Sequence, residues 1–161
     1  MTTNTQETFS MTLPSATGVR MVRVFHAPRA LVFEAHTTPE HIRRWWGPRN
    51  TTLPICELDF RPGGKWRFVM RMPDGAEMAC YGEYREIVPP EQIAYTFECE
   101  FAPGQVLVET LTFTEADGRT TLTSVCACSD QVARDAMIAH GMEAGARESW
   151  DRLAEAVERR P

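Results

Sequence analysis

Lys65-Trp-Arg-Phe-Val-Met-Arg-Met72 alternates along its length: Trp66, Phe68, Met70 and Met72 share one face, with Lys65, Arg67 and Arg71 on the other. A strand sends successive side chains to opposite faces, so this segment reads as a half-buried β-strand. The same period recurs at Ile93, Tyr95, Phe97, Cys99 and Phe101, opposed by Thr96, Glu98 and Glu100. Turn chemistry bounds the runs at Arg61-Pro-Gly-Gly64, Pro73-Asp-Gly75, Pro89-Pro90, Ala102-Pro-Gly104 and Asp117-Gly118. Proline fixes φ in such turns and glycine accepts positive values. Seven strands follow, over residues 19–25, 53–60, 65–72, 78–88, 93–101, 106–114 and 120–128. Antiparallel strands with one apolar face each make a curved meander, and that face needs a cover.

The cover lies in the last segment. Ser129 or Asp130 can cap a long helix from about residue 131 to 158. Its apolar stripe is Ile138, Met142, Ala146, Leu153 and Val157, with Gly145 and Ser149 alongside. Small residues in mid-stripe let the helix lie close to the sheet or leave room for a ligand. Between the first two strands, Pro28 and Pro39 suit the first turns of two short helices. Thr38 is the N-cap candidate of the second, with Glu40 in its first turn, and Gly47-Pro48 ends it. Trp45-Trp46, at the end of this insert, is expected to plug or roof a cavity. Residues 1–17 are polar and read as a loose N-terminal arm, part of which can extend the first strand; residues 18–158 read as a single domain. The order β-α-α-β6-α describes an α+β roll in which a sheet grips a long helix.

A chain of 161 residues suits one domain. Its net charge is −5, and its basic clusters are confined to Arg43-Arg44 and Arg159-Arg160, so nucleic-acid binding has little electrostatic support. No apolar run approaches the ~20 residues of a membrane span. The opening Met-Thr-Thr-Asn-Thr-Gln-Glu lacks the basic and apolar regions of a signal peptide. A cytoplasmic protein is the expectation. Five cysteines, an odd count without C-x-x-C spacing, fit reduced thiols better than a disulfide framework. Cys126-Ala-Cys128 puts two thiols on one strand face, where small buried hydrophobes are the ordinary reading. The four histidines offer no spaced metal pair, and no cofactor is implied.

The stretch from Phe25-His-Ala-Pro-Arg-Ala-Leu-Val-Phe33 to Thr38-Pro-Glu-His-Ile-Arg-Arg-Trp-Trp-Gly-Pro48 resembles the START-like, helix-grip superfamily. Within it, the chain is similar to the branch homologous to the C-terminal domain of the activator of the ninety-kilodalton heat-shock protein ATPase. Asp59-Phe-Arg-Pro-Gly-Gly-Lys-Trp66, residues 82–93, Glu109-Thr-Leu-Thr-Phe113 and the segment 141–153 carry the resemblance onward, over roughly residues 18–158. It implies a curved antiparallel sheet of six to seven strands around a long C-terminal helix, with two short helices between strands 1 and 2. It also implies a co-chaperone-like interaction with a chaperone, or a cyclase- or hydrolase-type enzyme, as alternatives to ligand binding.

A sheet curling round one helix leaves gaps, and gaps become ligand cavities. The inner face should carry Trp46, Trp66, Phe68, Met70, Met72, Tyr95, Phe97 and Met142, and methionine walls accept varied apolar shapes. Glu109 shares its side with Leu107, Leu111 and Phe113. A carboxylate there is desolvated unless a cation or donor pairs it, and it can anchor a polar ligand group or act as general acid or base. Tyr81, Tyr84 and Tyr95 can supply hydroxyls to the same space. His26, His36 and His41 lie near the insert; His41 and His140 look solvent-facing. No nucleophile elbow, phosphate loop or H-E-x-x-H occurs. The expected activity is therefore binding of a small hydrophobic or aromatic molecule by Trp46, Trp66, Phe68, Met70, Tyr95, Phe97, Glu109 and Met142. A homodimer is a further expectation, because edge strands need covering or pairing.

Overall fold

The alternating segments become one sheet. In the computed structural model, which describes residues 9–158, the strands are β1 (Phe9–Thr12), β2 (Gly18–Phe25), β3 (Thr52–Leu58), β4 (Lys65–Arg71), β5 (Glu77–Val88), β6 (Gln92–Cys99), β7 (Leu107–Ala116) and β8 (Arg119–Ala127). They lie in the order β1-β2-β8-β7-β6-β5-β4-β3, every neighbouring pair antiparallel. From β3 to β8 the chain is a meander. The strand β2 crosses to pair with β8 and so places the insert at one end of the sheet. Asp117 and Gly118 both take positive φ (55° and 75°) between the register partners Ala116 and Arg119, the geometry a two-residue hairpin loop requires.

The count is eight strands, one more than the upper expectation. The extra strand is Phe9–Thr12, inside the stretch read as an arm; it pairs with Arg20–Arg23, and Phe9 is buried against Trp150 with ring centroids 5.8 Å apart. Residues 1–8 of that stretch lie outside the described residues. Helices α1 (Arg29–Glu34) and α2 (Pro39–Ile42) form the insert. Pro28 stands at the N-cap of α1, one residue before the first turn, and the Thr38 hydroxyl accepts from His41 N at 3.3 Å to cap α2.

The C-terminal cover differs from the continuous helix expected. It is two helices, α3 (Gln131–Ala139) and α4 (Met142–Val157), broken at His140-Gly141. Gly141 has φ 88°, and its amide bonds back to Ile138 O at 3.1 Å; a left-handed residue after the last turn ends a helix, and glycine takes that conformation without penalty. The periodicity of the apolar stripe runs through this break, so it conceals the stop. Trp150, four residues beyond Ala146 and three before Leu153, belongs to the stripe as well and packs on Phe9 and Phe25. Leu153 and Val157 complete that tightly packed half of α4.

Trp66 depends on a close approach. It faces Gly82 across the β4–β5 pair, and its Nε1 donates to Thr96 O at 3.2 Å on the next strand. A Cβ at position 82 would stand 1.8 Å from Thr96 O and 2.7 Å from that Nε1. Gly145 is the opposite case: nothing lies within 4 Å of where its Cβ would be. We therefore expect Gly82→Ala to lower stability by about 1–3 kcal/mol through overpacking. Gly145→Ala should raise it by about 0.5–1 kcal/mol by restricting a helical glycine. Urea unfolding of both variants checks the pair.

Candidate functional site

Strand register sets one polar position inside an apolar wall. Tyr84 faces Tyr95, Tyr95 faces Glu109, Glu109 faces Cys126 and Cys126 faces Val19, a single row across five strands. Tyr95 OH donates to Glu109 Oε1 at 2.6 Å, and Ser124, two residues before Cys126 on the same face of β8, donates its hydroxyl to Oε2. Leu111 and Phe113 follow on the same side of β7 and are buried. The carboxylate is thus paired by two hydroxyl donors and by no Lys or Arg among the described residues. Burial, and then the neighbouring Glu109 charge, hold the Tyr95 phenol and the Cys126 thiol well above their ordinary ranges. Both stay neutral.

Above this row the sheet and the helices border a half-open cavity of about 920 Å³. Trp46, Trp66, Phe68, Met70, Tyr95, Phe97, Glu109 and Met142 all line it. Gly145, Ala146 and Ser149 form its roof on α4, and the space beside Gly145 is open. Exposed Phe101, Gln105 and Val106 of the β6–β7 loop stand with His140 and Gly141 of the α3–α4 break around the outer end. Tyr81 does not share the space. It points to the other face, opposite Glu98, because β5 alternates and Met78, Cys80, Gly82 and Tyr84 face inward.

The insert is bolted to α4 by polar contacts that sequence reasoning missed. Ser149 Oγ accepts from Gly47 N at 3.0 Å and donates to Trp45 O at 3.2 Å. The Arg152 guanidinium donates to the carbonyls of Trp46, Gly47 and Pro48 at 3.0–3.4 Å. These carbonyls lie in the turn beyond α2, where the guanidinium gives them charged donors, and Pro48 O also accepts from the Thr51 hydroxyl at 2.6 Å. Trp45 is fixed by its Nε1 bond to Ala35 O at 2.9 Å, while Trp46 lies against Phe68 with centroids 5.2 Å apart. The only sequence signal for this clamp is the i, i+3 spacing of Ser149 and Arg152 on the margin of the stripe.

The histidines separate by environment. His140 is exposed beside Phe101, and His41 is half-buried with Nε2 4.0 Å from Glu34. His36 is buried between Trp45 and Phe113 and also lines the cavity. Its Nδ1 bonds to Val32 O at 2.9 Å, its Nε2 has no partner, and burial lowers its pKa to about 4. Cys126 and Cys128 both line the cavity, but a different pair lies in contact: Cys80 and Cys99 are register partners on β5 and β6 with Sγ atoms 3.0 Å apart. The hydrogen bond they share pushes Cys80 up and lowers Cys99. Among the described residues no three His, Cys, Asp or Glu side chains gather as a metal site, and no helix is long and apolar enough to cross a membrane.

A curved antiparallel sheet gripping C-terminal helices, with a two-helix insert and an apolar cavity beneath, defines the helix-grip class of α+β domains. The chain belongs to the family described as activator of Hsp90 ATPase homolog 1-like proteins, whose family model matches residues 26–158. A solved structure from Rhodobacter sphaeroides is similar at TM-score 0.87 and 23% identity, covering 93% of this chain and 97% of that one. A Chromobacterium violaceum protein aligns at TM-score 0.78 and 26% identity, covering 91% and 100%. The AHSA1 protein of Silicibacter pomeroyi aligns at TM-score 0.74 and 22% identity, covering 88% and 97%. No functionally curated protein matches the chain.

Two measurements follow from this geometry. Glu100 N donates to Ala79 O at 3.0 Å next to Cys80–Cys99, so the cysteines occupy a non-hydrogen-bonded position, where Cα atoms are ~4.5 Å apart and a disulfide can span them. Mild oxidation with a diazene dicarboxamide, which takes up the two electrons and two protons, should reduce the titratable thiols from five to three. Five remaining thiols would show that the pair does not couple. The second concerns His36, neutral in the fold while the unfolded side chain protonates near pH 6.5. The unfolded state binds more protons over this window, so acidification from pH 6.5 to 4 removes stability, by roughly 3 kcal/mol at full effect. His36→Gln should flatten that part of the pH–stability curve.

Proposed function

We propose that this protein binds a small hydrophobic or aromatic molecule in the cavity between the sheet and the C-terminal helices. The observation that carries the reading is the unfilled space at Gly145, in a chain whose neighbouring core is closely packed. A cavity of about 920 Å³ is within the range of ligand pockets, roughly 300–1,000 Å³. Its walls are aromatic rings and methionines, surfaces that adapt to apolar shapes. Glu109, held by Tyr95 and Ser124, is the polar point at which a ligand would be oriented. The insert, anchored through Ser149 and Arg152, keeps Trp46 over one end. A cytoplasmic setting belongs to the same reading, supported by five cysteines left as free thiols.

Native mass spectrometry of the purified protein, followed by denaturing extraction, tests this directly. A stoichiometric small apolar molecule is the expected result. Ala146→Phe, which places a ring in the roof, should abolish that adduct and leave the far-ultraviolet circular dichroism unchanged. A clean apo mass, together with no thermal shift across a library of apolar and aromatic compounds, overturns the reading.

A further inference from the structure

The cavity carries a charge without a counter-charge. Among the described residues its lining contains Glu109 and no Lys or Arg. An ionised carboxylate beside an apolar wall is costly unless it is paired, and a hydroxyl donor supplies a dipole where a cation would supply a full charge. The hydrogen-bonding capacity left over in the inner wall is also one-sided. Tyr95 and Ser124 already direct their protons to Glu109, and Ser149 directs its proton to Trp45 O. His36 Nδ1, facing the Val32 carbonyl, holds that ring's proton, so the unpartnered Nε2 offers only a lone pair. Each Glu109 oxygen can accept a further bond. Tyr84, kept neutral by burial, contributes a hydroxyl that serves either role. The inner wall asks for donors.

The aromatic rings add to this preference. Tyr95 touches Glu109 and lies 5.8 Å from Trp66 and 6.2 Å from Tyr84, ring centroid to centroid, and Trp66 is 5.5 Å from Phe97. Aromatic faces attract a cation within ~6 Å of the centroid, most strongly where water is excluded. An anionic head group meets the reverse: the Glu109 charge, electron-rich ring faces and no cation to receive it. Resting on the cavity reading above, we infer that the site selects apolar or aromatic molecules bearing a protonated amine, with the ammonium at Glu109 and the hydrocarbon against Trp66, Phe68 and Phe97. Carboxylic acids of the same shape are excluded. Neutral alcohols fall between, as donors without charge.

A matched series separates the terms: naphthylmethylamine, naphthylmethanol and naphthoic acid, titrated calorimetrically at neutral pH into the full chain. The amine should bind tightest, on the order of tenfold or more over the acid, the difference a charge-assisted bond makes. Glu109→Gln keeps the shape and removes the charge, so it should bring the amine down to the level of the alcohol. Tyr95→Phe removes one hydroxyl donor and leaves the charge, so it should retain the amine preference; this second variant also guards against a Glu109→Gln protein that fails to fold. Equal binding of alcohol, amine and acid leaves the cavity reading standing and overturns the selectivity. Tighter binding of the acid, or an amine preference that survives Glu109→Gln, overturns it as well. Absence of binding by all three removes the cavity reading and the selectivity together.

Discussion

A sheet with one apolar face is stable only under a cover, and everything else here depends on how that cover is held. The helix α4 does it in two ways. Its C-terminal half presses Trp150, Leu153 and Val157 into the β1–β2 end, against Phe9 and Phe25. Its N-terminal half presents Met142 and Ala146, only partly buried against the core, and Gly145, beside which the space is open. That half stays in place because Ser149 and Arg152 bond to the backbone of residues 45–48 in the insert. Close packing at one end and polar anchoring at the other suspend the helix over an open interior. Remove the anchoring, and hydrophobic collapse of α4 onto the Trp66–Phe97 region becomes the competing arrangement.

The same interior contains a polar row that could have been apolar. Volume-conserving apolar replacements of buried charged groups are often neutral or stabilising, so a lone carboxylate is weak support for the fold. Glu109 is tolerated because Tyr95 and Ser124 donate to its two oxygens, each from an adjacent strand in register. Its energetic logic is local satisfaction, in contrast to Arg23, which lies buried under α4 and is paired with Asp151 across elements. Arg23 and Asp151 hold helix to sheet. Glu109 links only neighbouring strands of the sheet, and it lines the cavity.

Much of this was legible in the chain, because a period of two is read directly from side-chain chemistry. Trp66, Phe68 and Met70 fall inward together, and Asp117-Gly118 announces its hairpin. The misreadings have physical causes. Phe9–Thr12 alternates apolar and polar residues, but over only four positions, too short a run to mark a strand until it pairs with β2. The helix stop at Gly141 was visible as a glycine, yet the 3.6-residue stripe continues across it and outweighs one residue in a periodicity argument. Tyr81 and Tyr84 required a register that the bulge between Tyr84 and Glu86 makes hard to extrapolate. The clamp from Ser149 and Arg152 left only its i, i+3 spacing in the sequence, since its partners are backbone atoms and any sequence supplies those. Contact between Cys80 and Cys99 needed the β5–β6 alignment, which spacing alone does not give.

The open space is a consequence of particular residues, and it is placed where chemistry can use it. Phe113, Leu122 and Leu153 are fully buried, so this chain packs closely where its sequence provides bulk. At 145 and 146 it provides Gly and Ala on a helix, where the glycine costs helical stability and leaves apolar surface without contacts. Both costs fall opposite the row that carries Glu109. The polar groups of this lining are few beside its rings and methionines, and the proposed guest, apolar with one polar end, rests on that balance. The arrangement couples three choices that would each be unfavourable alone: a small-residue roof, an uncompensated carboxylate and an aromatic wall. Together they are the grounds on which the proposed guest is apolar along most of its length and hydrogen-bond donating at one end.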